Sequence, residues 1–258
     1  MIGLVDDLRI GFAVIAYNRL NNLVRCVNQI AKNTPRKDNY CFAVFDDGSP
    51  YKIHSDGVFK VFQGKTNQGV IVNKNRALYY YTEVNPVDII LLLEDDTSPD
   101  VMGWEEPWIK ATKKFGHINY RMGFWSDNYI NSEGTTGEWD SPHEFPFLTG
   151  QVHGVKTELI KRQIGYLHPE FKGWGFGHCE WTERFLKSNL GGSPGHHKAI
   201  NYGVSLQEAK SHKNRQQMEA NKKTREKLIQ SNQGFVRVPW TNDEQKNIFL
   251  EVFINHQD

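Results

Sequence analysis

Three acidic residues stand side by side immediately after an apolar segment of the chain. The segment IILLL precedes Glu94, Asp95 and Asp96, which we call the acidic cluster. Adjacent carboxylates repel one another, so ionising all three is unfavourable unless a positive charge lies among them. A divalent cation is the expected partner, because Mg²⁺ and Mn²⁺ prefer oxygen ligands. The alternative is a cluster that only faces solvent or caps the next helix.

Two earlier apolar segments also end in polar residues. RIGFAVIAY ends at Asn18, and YCFAVF ends at Asp46 and Asp47. Apolar residues at helical spacing follow the first segment and recur after Gly69, so strands alternate with helices. This alternation predicts an α/β fold with a mostly parallel central sheet flanked by helices. Ligands bind beyond the carboxyl ends of such strands, so the polar ends predict a binding site at one edge.

Composition limits the remaining possibilities. The 258 residues suffice for one large domain or a domain with an elaborated tail, and the net charge of +1 identifies neither nucleic acid nor membrane as a partner. Three cysteines without paired spacing indicate no disulfide framework and fit a reducing compartment. The longest apolar runs are shorter than the roughly 20 residues that cross a bilayer. We therefore expect no transmembrane segment, no signal peptide and a cytoplasmic location.

The second half of the chain is less regular. The sequence predicts a helix at 99–116, a loop at 128–146, a glycine-rich turn that enters a helix within 171–189, and a long polar helix at 206–229. Seven Lys or Arg residues against three Glu make the last helix basic. Such a helix could bind anionic lipid or nucleic acid, or be an ordinary solvated face.

Five motifs resemble those of the GT-A nucleotide-sugar glycosyltransferases, especially the large inverting group built around family 2. They occur in the order AVIAYNR, FDDGSP, NQGVIVNKNRAL, LLLEDD and FKGWGFGHCEWTERF, and lie within residues 10–186. The resemblance implies a GT-A catalytic domain at 1–190, with a nucleotide-binding half at 9–98 and an acceptor half at 99–190. Residues 191–258 would form a C-terminal extension packed on or beside it. The implied activity is metal-dependent, inverting transfer of a sugar from a nucleotide-sugar donor, a UDP-sugar by expectation, to an acceptor hydroxyl.

The chemistry of this transfer explains the acidic residues. Breaking the anomeric bond leaves negative charge on a diphosphate, and a bound Mn²⁺ or Mg²⁺ would stabilise that charge. By the resemblance, Asp96 would ligate the metal, and Asp95 would contact the ribose or a metal-bound water. Asp46 and Asp47 match the pair that holds base and ribose, because carboxylates accept hydrogen bonds from the uracil imide and from hydroxyls.

Four further residues match the nucleotide-binding segments of the family. Tyr17 and Asn18 fall where the first strand meets the nucleotide, and Asn67 and Lys74 belong to the segment that shapes the nucleotide wall. Lys74 or Arg76 is expected near the diphosphate. The alternative for either side chain is a solvated helix charge.

The sequence departs from the family pattern at the catalytic base. The usual Glu-Asp pair falls on Gly177 and His178, so an imidazole replaces the aspartate. Histidine, with an ordinary pKa of about 6.5, can act as general base at neutral pH. Glu180 is the rival base, or the partner that orients His178. Trp174 is expected to stack on a sugar, with core packing as the alternative, and Glu94 is assigned to the same sugar or acceptor.

A histidine downstream of that turn often completes the metal site in this fold. His212 lies 32 residues after Glu180 and is the expected ligand. His196 and His197 are the alternatives, in a stretch that the sequence predicts as a flexible loop.

Two alternatives to a saccharide or glycan acceptor stay open. The first is transfer to hydroxymethylated bases of DNA, with the basic helix at 206–229 contacting phosphates. The second is a catalytically idle nucleotide-sugar-binding protein, which the missing Glu-Asp pair would explain.

Overall fold

The computed structural model describes residues 8–55, 57–122, 134–146, 148–209, 214–231 and 234–254. The strands in these ranges are β1 (Ile10–Ala16), β2 (Tyr40–Asp46), β3 (Lys60–Gln63), β4 (Ile89–Glu94), β5 (Thr97–Pro99), β6 (His117–Tyr120), β7 (His143–Phe145), β8 (Val152–Lys156), β9 (Gly192–Ser193), β10 (His196–Ile200) and β11 (Val204–Leu206). The helices are α1 (Leu20–Asn33), α2 (Val70–Tyr79) with a π-helical turn at Tyr80–Val84, α3 (Glu105–Phe115), α4 (Thr157–Arg162), α5 (Gly177–Lys187), α6 (Arg215–Ser231) and α7 (Asp243–Ile254).

Within the described residues, the central sheet has nine strands in the order β3-β2-β1-β4-β8-β6-β10-β7, with β9 paired to β10. β1 runs parallel to both β2 and β4, and β3 extends this parallel half beside β2. β8 is antiparallel to β4 and to β6, and it joins the parallel half to the remaining strands. The predicted α/β architecture, a central sheet flanked by helices, is confirmed. The carboxyl ends of the four parallel strands meet at one edge, where a ligand would bind.

Strand β4 is buried on both faces because helices cover both sides of the sheet. Leu92 belongs to the core that contains Trp181, whereas Leu91 belongs to the opposite core, which contains Trp108. A strand with two buried faces needs apolar residues at every position rather than at alternate ones. This burial explains the uninterrupted aliphatic run before the acidic cluster.

The helix expected at 99–116 begins later, at Glu105. The residues before it form β5, which pairs antiparallel with β11 in a separate two-stranded sheet. Gly103, with φ of +75°, and a hydrogen bond from Trp104 N–H to the Val101 carbonyl (3.1 Å) then turn the chain into the helix. Of the expected helix, Pro99 is therefore paired in a strand and residues 100–104 form the turn that precedes α3.

The polar helix expected at 206–229 begins at Arg215, not at Leu206. Leu206 is paired in β11 with Thr97. Asn214 precedes α6, and its Oδ1 accepts a hydrogen bond from Gln217 N–H at 3.1 Å, which is the usual geometry of an N-cap.

Strands also occur where the sequence predicted irregular chain. The loop expected at 128–146 is described from residue 134 onward and contains β7, which pairs with β10. β10 lies in the stretch expected as a C-terminal extension, so the boundary expected at residue 190 falls between α5 and a strand of the central sheet. The division into two halves and an extension stays a prediction.

The last helix, α7, packs on the parallel half of the sheet. The ring of Phe253 lies 5.3 Å from that of Phe62, and Arg76 Nη2 donates a hydrogen bond to the Ile248 carbonyl at 3.2 Å. Across the described ranges, no helix combines the length and the apolar character that a bilayer crossing requires. The expected cytoplasmic location stays a prediction.

Candidate active site

The loops after β1, β2 and β4 are tied to one another at the carboxyl edge of the sheet. Asp47 N–H donates to the last carbonyl of β1 at 2.9 Å, and Tyr17 N–H donates to Asp95 Oδ2 at 3.4 Å. Asn18 has a left-handed φ of +51°, and its N–H donates to Ser49 Oγ at 2.7 Å. Asparagine tolerates this conformation better than most residues do. The three polar strand ends therefore form one continuous surface, as the sequence predicted.

Arg19 lies between two members of the acidic cluster. Its Nη1 is 3.0 Å from Asp96 Oδ2, and its Nη2 forms an ion pair with Asp95 Oδ1. Burial, opposed by Arg19 and reinforced by the neighbouring carboxylates, raises the pKa of Asp95 to about 8. Burial also raises the pKa of Asp96. One guanidinium thus only partly offsets the negative charge of the cluster.

The acidic cluster partly fits a divalent cation. Asp96 Oδ1 is buried and has no hydrogen-bond partner, so it is available to a ligand. Carboxylate oxygens are suitable donors for Mn²⁺ or Mg²⁺. Within the described ranges, no three Asp, Glu, His or Cys side chains are grouped closely enough to hold a metal by themselves. His212 lies outside the described residues, and its role as a ligand stays a prediction.

Asp46 and Asp47 hold the turns that follow β2 and β3. Asp46 accepts hydrogen bonds from Ser49 N–H at 2.8 Å and from Ser49 Oγ at 2.5 Å. Asp47 accepts hydrogen bonds from Gln68 N–H at 3.0 Å and from Gly69 N–H at 2.6 Å. Burial raises the pKa of Asp47 to about 6, and these donors oppose the rise. Both carboxylates therefore fix the backbone around the expected nucleoside site, and Asn67 lies exposed next to this loop.

Lys74 and Glu94 form a second charge pair at the same edge. Lys74 Nζ is 2.7 Å from Glu94 Oε1 and donates to the Gly150 carbonyl at 2.6 Å. Burial works to raise the pKa of Glu94, but the stronger influence of the neighbouring cations, above all Lys74, leaves it below its ordinary value. Arg76 instead binds Asp47 at 3.4 Å, behind the site. Lys74 is therefore the better placed of the two cations expected near the diphosphate.

His178 faces the same space from helix α5. A methyl group on Gly150 would lie 3.0 Å from Glu94 Oε1, 3.1 Å from Lys74 Nζ and 3.5 Å from His178 Nδ1. The three side chains therefore converge on one glycine. Burial lowers the pKa of His178 to about 4; Lys74 adds to this effect and Glu94 opposes it. The imidazole is neutral at pH 7, as a general base must be.

Further histidines lie beneath His178. The His153 ring centroid is 6.3 Å from that of His178 and 5.6 Å from that of His117. His153 Nδ1 is 3.0 Å from Asn119 Oδ1, while the Nε2 atoms of His153 and His117 are buried without a hydrogen-bond partner. Burial lowers the pKa of His117 to about 3. These imidazoles are therefore neutral parts of the core.

Glu180 is held on the other side of α5. Arg184 Nε donates to Glu180 Oε1 at 2.8 Å, and Arg184 Nη2 donates to Oε2 at 3.0 Å. The same guanidinium donates to the Tyr166 carbonyl at 2.7 Å. Residues two apart on a helix project to nearly opposite faces. The geometry therefore favours His178 over Glu180 as the base.

Trp174 lies in the segment 172–176, which we call the glycine-rich loop. Gly173 and Gly175 flank it with φ of +55° and +102°, a region that glycine adopts without strain. The Trp174 side chain is 41% exposed. Its position next to the start of α5 keeps stacking on a sugar ring as a prediction, because aromatic side chains of this kind commonly stack on sugars.

The basic character of the polar helix is partly neutralised. Helix α6 carries five Lys or Arg residues and two Glu. Arg225 pairs with Glu183, and Lys227 Nζ lies 3.6 Å from Glu170 Oε2. Two of the five cations of α6 therefore lie near a carboxylate, and the binding of lipid or nucleic acid by this helix stays a prediction.

Sequence reasoning assigned no role to Arg19 or to Gly150. Arg19 stands at the end of the motif AVIAYNR, and a cation so close to a strand end was a usable signal. Gly150 carried none, because its neighbours Lys74 and His178 come from distant parts of the chain.

Comparison with known proteins bears on the family and the fold. Residues 12–147 match the family model for glycosyl transferase family 2, and no curated protein sequence matches the chain. GalNAc-T7 with UDP, GalNAc and Mn²⁺ has a similar structure (TM-score 0.63, 15% identity, covering 95% of this chain and 54% of that chain). So does S. aureus TarS in complex with UDP (TM-score 0.60, 13% identity, 96% of this chain and 72% of that chain).

A third similar structure is the mannosyltransferase PcManGT from Pyrobaculum calidifontis with GDP-Man and Mn²⁺ (TM-score 0.55, 14% identity, 97% of this chain and 70% of that chain). The chain thus spans about half the length of the GalNAc-T7 chain and more than two thirds of the other two. At such identities the likeness supports the fold alone. Because the family model covers more than half of the 258 residues, the chain belongs to glycosyl transferase family 2, with the GT-A fold that its motifs predicted.

Proposed function

We propose that the protein transfers a sugar from a UDP-sugar to an acceptor hydroxyl, with inversion at the anomeric carbon and with the help of Mn²⁺ or Mg²⁺. The observation that carries this proposal is the convergence of Lys74, Glu94 and His178 on Gly150, next to Asp95 and Asp96. Cationic groups that could contact a diphosphate and carboxylates that could bind its metal ion thus lie beside a neutral imidazole that could act as base.

Asp95 and Asp96 would hold the metal ion, which would offset the charge that develops on the departing diphosphate. The unpartnered Asp96 Oδ1 supports this assignment. Arg19 and Lys74 would contact phosphate oxygens, because both side chains lie at the same edge and carry donors. UDP is preferred as the nucleotide because the GalNAc-T7 and TarS structures contain it.

The nucleoside would bind over the turns after β1 and β2. Tyr17, Asn18 and Asn67 would line it, and Asp46 and Asp47 would contact base and ribose through lone pairs that their turn hydrogen bonds leave free. The rigid hydrogen bonding of these turns supports the assignment, because a binding site is stronger when it is formed before the ligand arrives.

The acceptor hydroxyl would attack the anomeric carbon from the face opposite the diphosphate. Its oxygen forms the new bond, the bond to the diphosphate oxygen breaks, and the hydroxyl proton passes to His178. Because Glu94 is paired with Lys74, we assign it to the sugar rather than to nucleophilic attack. A single displacement of this kind inverts the anomeric configuration.

A panel of nucleotide sugars tests the donor. With Mn²⁺ present, the correct donor should raise the melting temperature, because it binds the folded state alone. Turnover of that donor should fall by at least a hundredfold in Asp96→Asn. In the wild type, chelation should abolish turnover, and adding Mn²⁺ back should restore it. Undiminished turnover in the Asp96→Asn variant would contradict the metal assignment. A product with the inverted anomeric configuration in the NMR spectrum would support a single displacement.

For the acceptor we propose a saccharide or other glycan, supported by the partial exposure of Trp174 next to the start of α5. Binding of duplex DNA at increasing salt separates this acceptor from hydroxymethylated DNA. Phosphate contacts would give a steep negative slope of affinity against salt, and such a slope would favour the DNA acceptor.

A further inference from the structure

Helix α6 turns one buried polar side chain toward the glycine-rich loop. Its two buried residues, Asn221 and Leu228, are seven positions apart and so lie on the same face. Asn221 is 2% exposed, although the sequence around it is among the most polar in the chain. A buried amide in a polar helix requires specific hydrogen-bond partners.

Those partners are backbone groups of the glycine-rich loop. Asn221 Nδ2 lies 2.7 Å from the Lys172 carbonyl and 3.0 Å from the carbonyls of both Trp174 and Gly175. Asn221 Oδ1 accepts hydrogen bonds from Lys172 N–H at 3.2 Å and from Gln217 Nε2 at 3.3 Å. An amide side chain offers both a donor and an acceptor, so this one residue binds both carbonyl and N–H groups of the loop backbone.

The loop depends on this side chain because its own backbone forms few hydrogen bonds. Gly173, Gly175 and Phe176 all have positive φ, of +55°, +102° and +63°. Phe176 is not a glycine, and a large residue holds such a conformation only when its surroundings enforce it. Within the loop and the start of α5, Gly177 N–H donates to the Gly175 carbonyl at 2.9 Å. The Phe176 carbonyl accepts a hydrogen bond from Glu180 N–H at 3.0 Å, and the carbonyls of Lys172 and Trp174 are held by Asn221.

The loop so anchored lies between the expected nucleoside and the expected base. A methyl group on Gly69 would lie 3.0 Å from Gly173 N, and Gly69 N–H is bonded to Asp47. At the other end, the loop leads directly into α5 and His178. A shift of the glycine-rich loop would therefore move the imidazole relative to the donor.

We propose that Asn221 is a positioning residue, which sets the distance of Trp174 and His178 from the donor by holding the loop backbone. This inference rests on the function proposed above, since it assumes that His178 and Trp174 serve the acceptor. Asn221 acts through the loop, so its loss should slow transfer without weakening the binding of the donor.

Asn221→Asp is the sharpest variant. It keeps the size of the side chain and the Oδ1 acceptor, but it replaces the Nδ2 donor with a second oxygen, which would repel the three loop carbonyls. Asn221→Leu removes both functions and serves as the second variant. Leu228→Ala is the matched control, because it loosens the same helix face without touching the loop hydrogen bonds.

Hydrogen exchange of the full-length chain, followed by mass spectrometry, should show at least tenfold faster exchange of residues 172–177 in Asn221→Asp. The dissociation constant for UDP with MnCl₂ should stay within twofold of the wild type, while kcat for the best donor of the panel falls at least tenfold and the donor KM changes little. Leu228→Ala should keep kcat per folded molecule.

Unchanged exchange in both Asn221 variants would overturn the inference. So would faster exchange with unchanged kcat, or an equal loss of kcat in Leu228→Ala. If the wild type turns over no nucleotide sugar, the proposed function fails by itself. The exchange experiment then still decides whether Asn221 holds the loop.

Discussion

The donor edge and the acceptor side of the site are built by different means. The donor edge consists of the loops after β1, β2 and β4, whose positions follow from strand register: Ala16 is paired with Asp46, and Ile15 with Glu94. The acceptor side consists of the glycine-rich loop and the start of α5. Its backbone is held by Asn221, 49 residues away from Lys172 in sequence. Regular pairing places the first region, and individual long-range contacts place the second.

The two regions also differ in how burial affects their charges. At the donor edge, burial raises the pKa of Asp95 to about 8 and of Asp47 to about 6. On the acceptor side, burial lowers the pKa of His178 to about 4. Burial favours the neutral form in each case. A cation at the donor edge would therefore have to displace protons from the carboxyl groups, whereas the imidazole is already neutral, as a proton acceptor must be.

The largest expected effect separates the two regions directly. His178→Ala should lower kcat by about 10²- to 10⁴-fold, the usual contribution of a general base. The affinity for UDP with Mn²⁺, measured by calorimetry, should not change, because no residue of the donor edge is altered. A parallel loss of affinity would mean that the two regions act as one unit.

Glu180→Gln should produce the opposite result on the same helix. Arg184 would lose its buried ionic partner, so we expect a loss of about 3 kcal/mol in the free energy of unfolding. Chemical denaturation measures this loss, and kcat per folded molecule should stay near that of the wild type. Glu183→Gln is the matched control: its partner Arg225 is more exposed, so the loss should be about 1 kcal/mol or less. A selective loss of kcat in Glu180→Gln would return Glu180 to the role of base.

The smallest expected effect is a pH dependence of stability that arises from His117, in the core beneath the acceptor side. The pKa of His117 is lowered to about 3 in the folded protein, against about 6.5 when unfolded. Between these values the unfolded state binds more protons, so the stabilisation is complete above pH 6.5 and is lost as pH falls toward 3. Replacing this residue should remove about 2 kcal/mol of the stability difference between pH 7.5 and pH 5.

Urea unfolding of the wild type and of His117→Gln at both pH values measures that difference. Chelator should be present, so that the acidic cluster is free of metal in both proteins. The raised pKa of Asp95 then affects stability with the sign opposite to that of His117, because protonation of Asp95 at lower pH favours the folded state. Equal pH slopes in the two proteins would show that His117 is not the group that titrates.

Much of the donor edge was predictable because it is local. The acidic cluster follows β4 directly, and Asp46 and Asp47 follow β2, so periodicity and motif order suffice to bring them together. What was not predictable is how those carboxylates are used. Asp47 holds Gly69, and Arg19 bridges Asp95 and Asp96, through contacts that depend on the packing of separate loops.

The sequence alone determined the α/β architecture, the family and the edge at which polar residues gather, because strand order and strand-end chemistry are written in consecutive residues. Tertiary structure alone paired Glu180 with Arg184, placed His178 beside Gly150 and revealed the contacts of Asn221. The physical reason is that these roles depend on which face of a helix is buried and on which distant backbone groups need hydrogen-bond partners.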